Sequence, residues 1–491
     1  VTVHGLHIAV APWMWSVVRT GDACIVVTSQ KSAADPARKG RLVMERCEMP
    51  GQNTDVEHRS WCPAEEQPAR WLLAGHPTGF WYVFWAELAE RASFWGMRVL
   101  LSLYLVEMLG FSEANAGSVA QLFNAACYLT PILGGFIADH YLGRYRTIIW
   151  FCVPYLVGHL CFGFFRGEVA LFLGLLLIAL GSGAIKPNTS TLMGLMYERL
   201  GRRHLLDEAF VYYYAAINLG ATITSLAVPI VQSSHGYGPA LMIPTGLIAL
   251  SMLIFWRGRR YFPTENIVVR PFSASRPQWQ EERAVLLRLA GILTLVAIYW
   301  FLADQSSSTW VFLANDHMDL TLWPTGLALT AAQTQALNPL MILLFTPLLR
   351  PIWRRMEALR GRQLGPADKM TVGFVLTVLA MAVMALAGHV AESGKASVWF
   401  LVLATLLITL AELCISAIGL QLCYLAAPAS MKSQVMAWFL LTSFFGDSAG
   451  AAFTQLYGTV GNASYFALQA LIATGAVAGM AWIAAGLGIR R

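Results

Sequence analysis

Apolar runs long enough to cross a bilayer recur from residue 80 almost to the C-terminus, separated by short loops. A hydrocarbon core of ~30 Å takes about 20 apolar residues of helix, because a segment in lipid must satisfy its own backbone hydrogen bonds. Twelve runs fit, roughly 80–109, 116–139, 147–165, 168–194, 208–233, 237–256, 285–314, 328–349, 367–390, 396–425, 432–457 and 460–487. The longest interruption, from Arg257 to about Gln280, divides them into six and six. Composition agrees, since 57% of the 491 residues are hydrophobic and 13% charged, against about 45–50% and about 25% in a soluble domain. These totals exclude a cytosolic enzyme or a nucleic-acid binder as the starting point. They predict an all-α membrane protein with twelve transmembrane helices in two six-helix bundles.

Residues 1–75 differ in kind, mixing acidic and basic side chains with Pro, Gly and Ser. Their apolar stretch near His7–Val18 spans about 12 residues, too short to cross, and it lacks the basic start and cleavage site of a signal peptide. The segment begins with Val, and Met44 and Met49 are possible later starts. It reads as a disordered tail or an over-extended start. The remainder divides into a first bundle at 76–256, a cytoplasmic linker at 257–284 and a second bundle at 285–491. The eight Cys form no CxxC pair and read as small buried hydrophobes, so neither a metal nor a cofactor is expected.

Charge sets an orientation. With the N-terminus in the cytoplasm, the inner loops collect Arg144, Arg146, Arg199, Arg202, Arg203, the arginines between 257 and 288, Arg350, Arg354, Arg355, Arg360, Arg362 and Lys369, while the outer loops hold Arg166 and Lys395. That asymmetry is the positive-inside rule. It predicts cytoplasmic termini, and it accounts for the net charge of +6 without an acidic ligand.

An ionisable side chain at bilayer depth costs about 2.5–3.5 kcal/mol on insertion scales, so it faces a cavity or a partner and is a candidate for function. Here these are Glu87, Glu90, Arg91 and Arg98 in the first run, Lys186 in the fourth, Asp304 in the seventh and Glu412 in the tenth. Those runs open four successive three-helix units, the positions that line a central cavity in a bundle of inverted repeats. On a helix advancing ~100° per residue, Glu90 lies about −60° from Glu87, Arg91 about +40°, Phe94 about −20°, Trp95 about +80° and Arg98 about +20°. One face thus carries two acids, two bases and two aromatics. Mutual neutralisation for insertion is the plainer reading, but it gives no reason for the charges on the fourth, seventh and tenth runs. Asp139 and Asp447 read as a loop hinge and a hydrogen-bonded residue within the bundle.

The segment Glu87-Leu88-Ala89-Glu90-Arg91-Ala92-Ser93-Phe94-Trp95-Gly96-Met97-Arg98 resembles the ExxERFxYYxxR motif of the proton-dependent oligopeptide transporter family, a branch of the major facilitator superfamily. Gly75-His76-Pro77 is similar to that family's lead-in, Gly134 to Asp139 with Leu142-Gly143-Arg144 to its loop between helices 2 and 3, and Lys186-Pro187-Asn188 to its helix 4. Tyr213 to Gly220 resembles helix 5, Trp300 with Asp304-Gln305 helix 7, Asn338-Pro339 helix 8, and Glu412 to Ser416 with Ala427-Pro428 helix 10. The resemblance covers about residues 75–487 and implies the major facilitator fold. It departs at Ala92 for Phe, at Phe94-Trp95 for two tyrosines, at Asp304 for Glu, and in a link of roughly 28 residues between the halves, too short for the extra helix pair of many bacterial relatives.

Carried over, the resemblance implies that Glu87, Glu90, Arg91, Lys186 and Asp304 couple to protons, with Lys186 paired to Glu90 or Asp304. It implies that Arg98 and Lys186 receive a substrate carboxylate, that Asn218, Asn338, Glu412 and Ser416 bind the amino end and backbone, and that Phe94, Trp95, Tyr128, Trp300 and Trp438 shape the pocket. The expected protein imports di- and tripeptides with protons across the cytoplasmic membrane, as a monomer in the bilayer without nucleic-acid partners. Two alternatives stand beside it: a proton-coupled symporter of another small anion such as nitrate, or of an amino-acid-like solute, and a peptide receptor that transports nothing. The sequence holds no HExxH, GxSxG or Walker A motif, so neither proteolysis nor ATP-driven pumping has a foothold.

Overall fold

A computed structural model describes residues 2–3, 6–7, 17–20, 23–28, 43–46, 75–165, 167–263, 265, 279–426 and 432–486, with side chains placed within 75–165, 167–263, 265, 289–423 and 435–483. The chain forms two units, 1–60 and 61–491. The first contains the antiparallel pair β1 (Thr2–Val3) and β2 (Leu6–His7), and an antiparallel sheet of β3 (Val17–Thr20), β4 (Ala23–Thr28) and β5 (Val43–Arg46). Those strands apart, the tail expected at 1–75 lies outside the described residues up to Ala74.

The second unit is helical: α1 (Thr78–Glu107), α2 (Glu113–Ile137), α3 (Arg144–Phe164), α4 (Glu168–Arg199), α5 (Leu206–His235), α6 (Tyr237–Arg257), α7 (Trp279–Ala303), α8 (Thr309–His317), α9 (Leu337–Arg360), α10 (Pro366–Ser393), α11 (Val398–Ala426), α12 (Lys432–Thr454) and α13 (Asn462–Gly486). Eleven of the described helical segments are long and apolar enough to cross a membrane, α7 and α8 counting as one from Leu289 to His317. The long helix outside that set is α1, whose central turns carry Glu87, Glu90, Arg91 and Arg98. Within the first half α1 packs on α5 and α6, and α4 on α2 and α3; within the second, α10 packs on α11 and α13, and α7 on α12. The halves meet along α2 with α12 and α5 with α9.

Two expected runs differ in outline. The seventh is broken, because a 3-10 turn at Asp304–Ser307 separates α7 from α8. The eighth starts later, in a 3-10 segment at Ala332–Ala336, and runs on to Arg360. Its last turns carry Arg350, Arg354, Arg355 and Arg360, which end an apolar run without ending a helix.

The sequence motifs have local structural reasons. Gly75 takes φ +117°, a conformation that favours glycine. Its carbonyl accepts from Arg202 Nη1 at 2.9 Å, while Pro77 occupies the N-cap of α1. The His76 ring is buried, with Nδ1 2.5 Å from the Tyr197 hydroxyl and Nε2 3.8 Å from Glu208. Burial lowers its pKa from the usual 6.5, against the opposing pull of Glu208. The neutral ring is the form that fits, so its contribution is complete above pH 6.5 and is lost as pH falls below that value.

Pro187 removes one rung from the ladder of α4, yet the helix continues through it. Asn188 Nδ2 beside it donates to Ala184 O at 2.7 Å and across to Gly134 O at 3.2 Å. Gly134 lies so close to α4 that a Cβ there would overlap the Ala184 backbone, whereas a Cβ at Gly135 would meet nothing within 4 Å. Gly220 lets α5 approach the α1 backbone at Leu88, and Gly446 lets α12 approach α7 at Ala297.

Gly134→Ala is therefore expected to separate α2 from α4 at a cost of about 1–3 kcal/mol, while Gly135→Ala in the same motif leaves stability unchanged or slightly raised. Thermal unfolding of the two purified variants in detergent reads the difference.

Candidate functional site

A cavity of about 240 Å³ opens between the halves, a little below the roughly 300–1,000 Å³ of ordinary ligand sites. α1 supplies Trp95 and Arg98, α2 Tyr128, α5 Tyr214 and Asn218, α7 with its 3-10 turn Tyr299, Trp300, Asp304 and Ser307, α9 Asn338, and α11 Glu412. The break after α7 matters here, because it presents Asp304 and Ser307 to α1. Arg98 Nη2 donates to Asp304 Oδ1 at 2.8 Å and to Ser307 Oγ at 3.2 Å, and its guanidinium lies 4.6 Å from the centre of the Trp95 ring. At the other pole Glu412 Oε2 accepts from Asn338 Nδ2 at 3.1 Å, and the same amide donates to Thr409 Oγ1 at 3.0 Å. The site thus has a cationic pole held by a neighbouring acid and an anionic pole held by a neutral amide.

A second charged cluster lies deeper in the first half. Arg91 Nε is paired with Glu90 and lies 3.4 Å from Glu87 Oε1, with all three side chains almost completely buried. Glu87 and Glu90 border a void of only about 10 Å³ among Ile148, Cys152, Ile185, Thr189 and Ser251. Lys186 joins the two regions through rings: its Nζ is 4.7 Å from the centre of Phe94 and 4.9 Å from that of Tyr128. The pairing of Lys186 with Glu90 or Asp304 is not formed; among the described residues Lys186 has no ion pair, because Arg91 holds Glu90 and Arg98 holds Asp304. Cation–ring contacts of about 0.5–2 kcal/mol take its place.

Of the residues singled out in the sequence, Trp95, Arg98, Tyr128, Asn218, Trp300, Asp304, Asn338 and Glu412 line the cavity together. Glu87, Glu90 and Arg91 form the separate cluster. Phe94 is buried between them, stacked on Phe123 and 5.3 Å from the Arg91 guanidinium. Ser416, one turn beyond Glu412, is outside the lining, and Trp438 is 44% exposed on α12, also outside it. The lining also includes Tyr214, Tyr299, Ser307, Trp310 and Gln335, which sequence reasoning passed over. Tyr214 stands four residues before Asn218, on the same helix face, a spacing that pointed to it. The 3-10 turn that presents Ser307 has no comparable signal.

Hydrogen bonds between the halves gather at one end. Ser102 Oγ donates to Ser307 O at 2.7 Å, Gln121 Nε2 to Asp304 O at 2.8 Å, Ser118 Oγ to Ala451 O at 2.6 Å, Gln335 Nε2 to Val99 O at 3.0 Å and Gln333 Nε2 to Leu226 O at 3.0 Å. All lie between the middle of the bundle and the end at which α1 terminates. Among the described residues no direct hydrogen bond joins the halves at the opposite end. The Arg98–Asp304 pair is the charged member of that seal.

Comparison with known proteins places these features in context. A family model described as the POT family matches residues 145–275 and 264–468, more than half of the chain. The chain is similar to "Dipeptide and tripeptide permease A" of Pectobacterium carotovorum, 28% identical over 78% of this chain and 82% of that one. It is similar to the "Di-/tripeptide transporter" of Lactococcus lactis, 27% identical over 81% and 93%. The solved structure of the POT family transporter PepTSo superposes with a TM-score of 0.76 at 26% identity, covering 85% of this chain and 99% of that one.

Arg98→Ala leaves the Asp304 carboxylate without its counter-ion, an expected cost of about 3–5 kcal/mol. The double variant Arg98→Leu with Asp304→Leu is expected to recover most of that loss, because it removes both charges. Unfolding of the single and double variants in detergent checks both expectations.

Proposed function

The chain belongs to the POT family, and from that premise we propose that it is a proton-coupled symporter that carries di- and tripeptides into the cell by alternating access. It is a multi-pass membrane protein, and its family consists of transporters rather than enzymes. The single observation that carries the substrate reading is the dipolar cavity, with Arg98 at one pole and Glu412 at the other. A short peptide has a carboxylate at one end and an ammonium at the other, and the two poles match them.

We further propose that α1 is the twelfth span, inserted because its charges are paired within the protein, and that the arginine-rich end is cytoplasmic. On that reading both termini are cytoplasmic, 76–256 and 285–491 are the two bundles, 257–284 is the linker, and the protein acts as a monomer in the cell membrane. The seal at the far end of α1 then makes this an inward-facing state.

The mechanism follows from electrostatics in a low-dielectric site. An arriving carboxylate competes with Asp304 for Arg98, and an acid stripped of its cation in such surroundings is most stable when protonated. Proton and peptide therefore load together, the charged member of the seal opens, and the halves rock about the cavity. Lys186, without an acid partner among the described residues, is available to the same carboxylate, with Tyr128 against the lysine and Trp95 against Arg98. Glu412 with Asn338, together with Asn218, receives the amino end and backbone. Glu87, Glu90 and Arg91 form the second station, where neutralising Glu90 loosens its hold on Arg91. The membrane potential adds about 2.3 kcal/mol per charge per 100 mV.

Labelled dialanine is expected to accumulate in proteoliposomes only under an inward proton gradient. Glu90→Gln is expected to abolish accumulation while leaving some counterflow. Accumulation that ignores the gradient contradicts the coupling, and binding with no proton movement contradicts transport.

A further inference from the structure

Asp447 on α12 is completely buried and has no place in the mechanism above. Its Oδ2 accepts from Asn124 Nδ2 of α2 at 2.7 Å, a bond that crosses between the halves. Its Oδ1 is buried and receives no hydrogen bond. α12 packs on α7 and on the 3-10 turn that Asp304 opens, with Gly446 against Phe301 and Gly450 against Gln305, so Asp447 stands along the stretch that carries Asp304. The approach is built into the backbone: Gly446, the residue before Asp447, brings α12 against α7 so closely that a Cβ would lie 2.5 Å from Ala297 O.

Among the described residues Arg98 is the one cation bonded to either acid, while Lys186 of α4 stands over the Tyr128 ring. Arg98 of α1 gives its Nη2 to Asp304 and interacts with Asp447 only at longer range. From α2 the titratable neighbours are Tyr128 and Cys127, a phenol and a thiol that bring no positive charge. From the turn after α7, Gln305 is engaged with Tyr465 at 3.0 Å, and from α11 Glu412 is engaged with Asn338. Two ionised carboxyls facing one another in this setting leave a lone pair without a donor and one negative charge without a partner, a cost that a single shared proton removes. The pair then carries one negative charge, which Arg98 balances.

We propose that Asp447 is a proton-binding residue, and that the proton on its Oδ1 is shared with the Asp304 carboxyl. The proposal rests on the transport reading for its consequence. While Arg98 holds Asp304, the pair keeps one proton; when a substrate carboxylate takes Arg98, the pair has lost its counter-charge and takes up a second proton from solution. One O–H bond forms, no proton leaves, and the charge brought by the substrate is matched. Asn124 ties the same residue to α2, so the protonation state of the pair is felt at the seam where the halves separate.

Infrared difference spectroscopy of the full chain in lipid tests this without transport. The protonated-carboxyl band present at neutral pH is expected to lose intensity in Asp447→Asn, where Asp304 is left ionised against Arg98. The same loss is expected in Asp304→Asn, which serves if the first variant does not fold. An unchanged band in a folded variant, or no such band in the unmodified protein, overturns the proposal. If the band behaves as expected while dialanine is not transported, the transport reading fails and the shared proton stands.

Discussion

Charge buried in a low-dielectric bundle is the constraint on which the rest of this structure depends. Removing an ion from water costs several kcal/mol even after relaxation, and a partner offsets the cost only with good geometry. The chain meets the constraint twice in α1. Arg91 answers Glu87 and Glu90 within one helix, while Arg98 reaches across to Asp304 in the other half. The first pairing can persist through a rigid-body movement of the halves. The second cannot, so on the transport reading it is the pair that must open when the halves move.

Packing around the charged residues keeps the geometry narrow. Gly220 brings α5 onto α1, Gly134 brings α2 onto α4, and Gly446 brings α12 onto α7, each at a separation that a side chain would forbid. Two of the six helices joined in this way, α1 and α5, carry Arg98 and Asn218 of the cavity, and α7 leads into the turn that carries Asp304. The 3-10 turn at Asp304–Ser307 interrupts an otherwise apolar segment where Arg98 needs an acceptor. Irregular backbone at such depth is tolerated where protein or a cavity satisfies it. Here Gln121 Nε2 donates to the Asp304 carbonyl, so the bond that satisfies the turn also joins the halves.

Much of this was legible in the sequence, for a definable reason. Lipid requires long apolar runs, so helix positions could be read by length, and any charge within a run stood out against a uniform background. The helical wheel of α1 placed Glu87, Glu90, Arg91 and Arg98 on one face, and all four are buried, Arg91 with the two acids and Arg98 with Asp304 of the other half. Partner choice was not legible. Lys186 settles over Phe94 and Tyr128 instead of against an acid, because which cation reaches Asp304 depends on a helix break that hydropathy does not register. Asp447 was readable as a hydrogen-bonded residue, and Asn124 of the other half is the donor that hydropathy could not name. The outline of α9 escaped for a related reason: arginines end a hydrophobic run long before they end a helix.

The central claim is that the Arg98–Asp304 pair holds the far end of α1 closed. Spin labels at Met108 and Leu327, exposed positions on the two halves at that end, report the separation directly by pulsed dipolar spectroscopy. Without substrate, Asp304→Asn is predicted to add a population at longer distance that the unmodified protein lacks. An identical distance distribution in the two proteins would contradict the account.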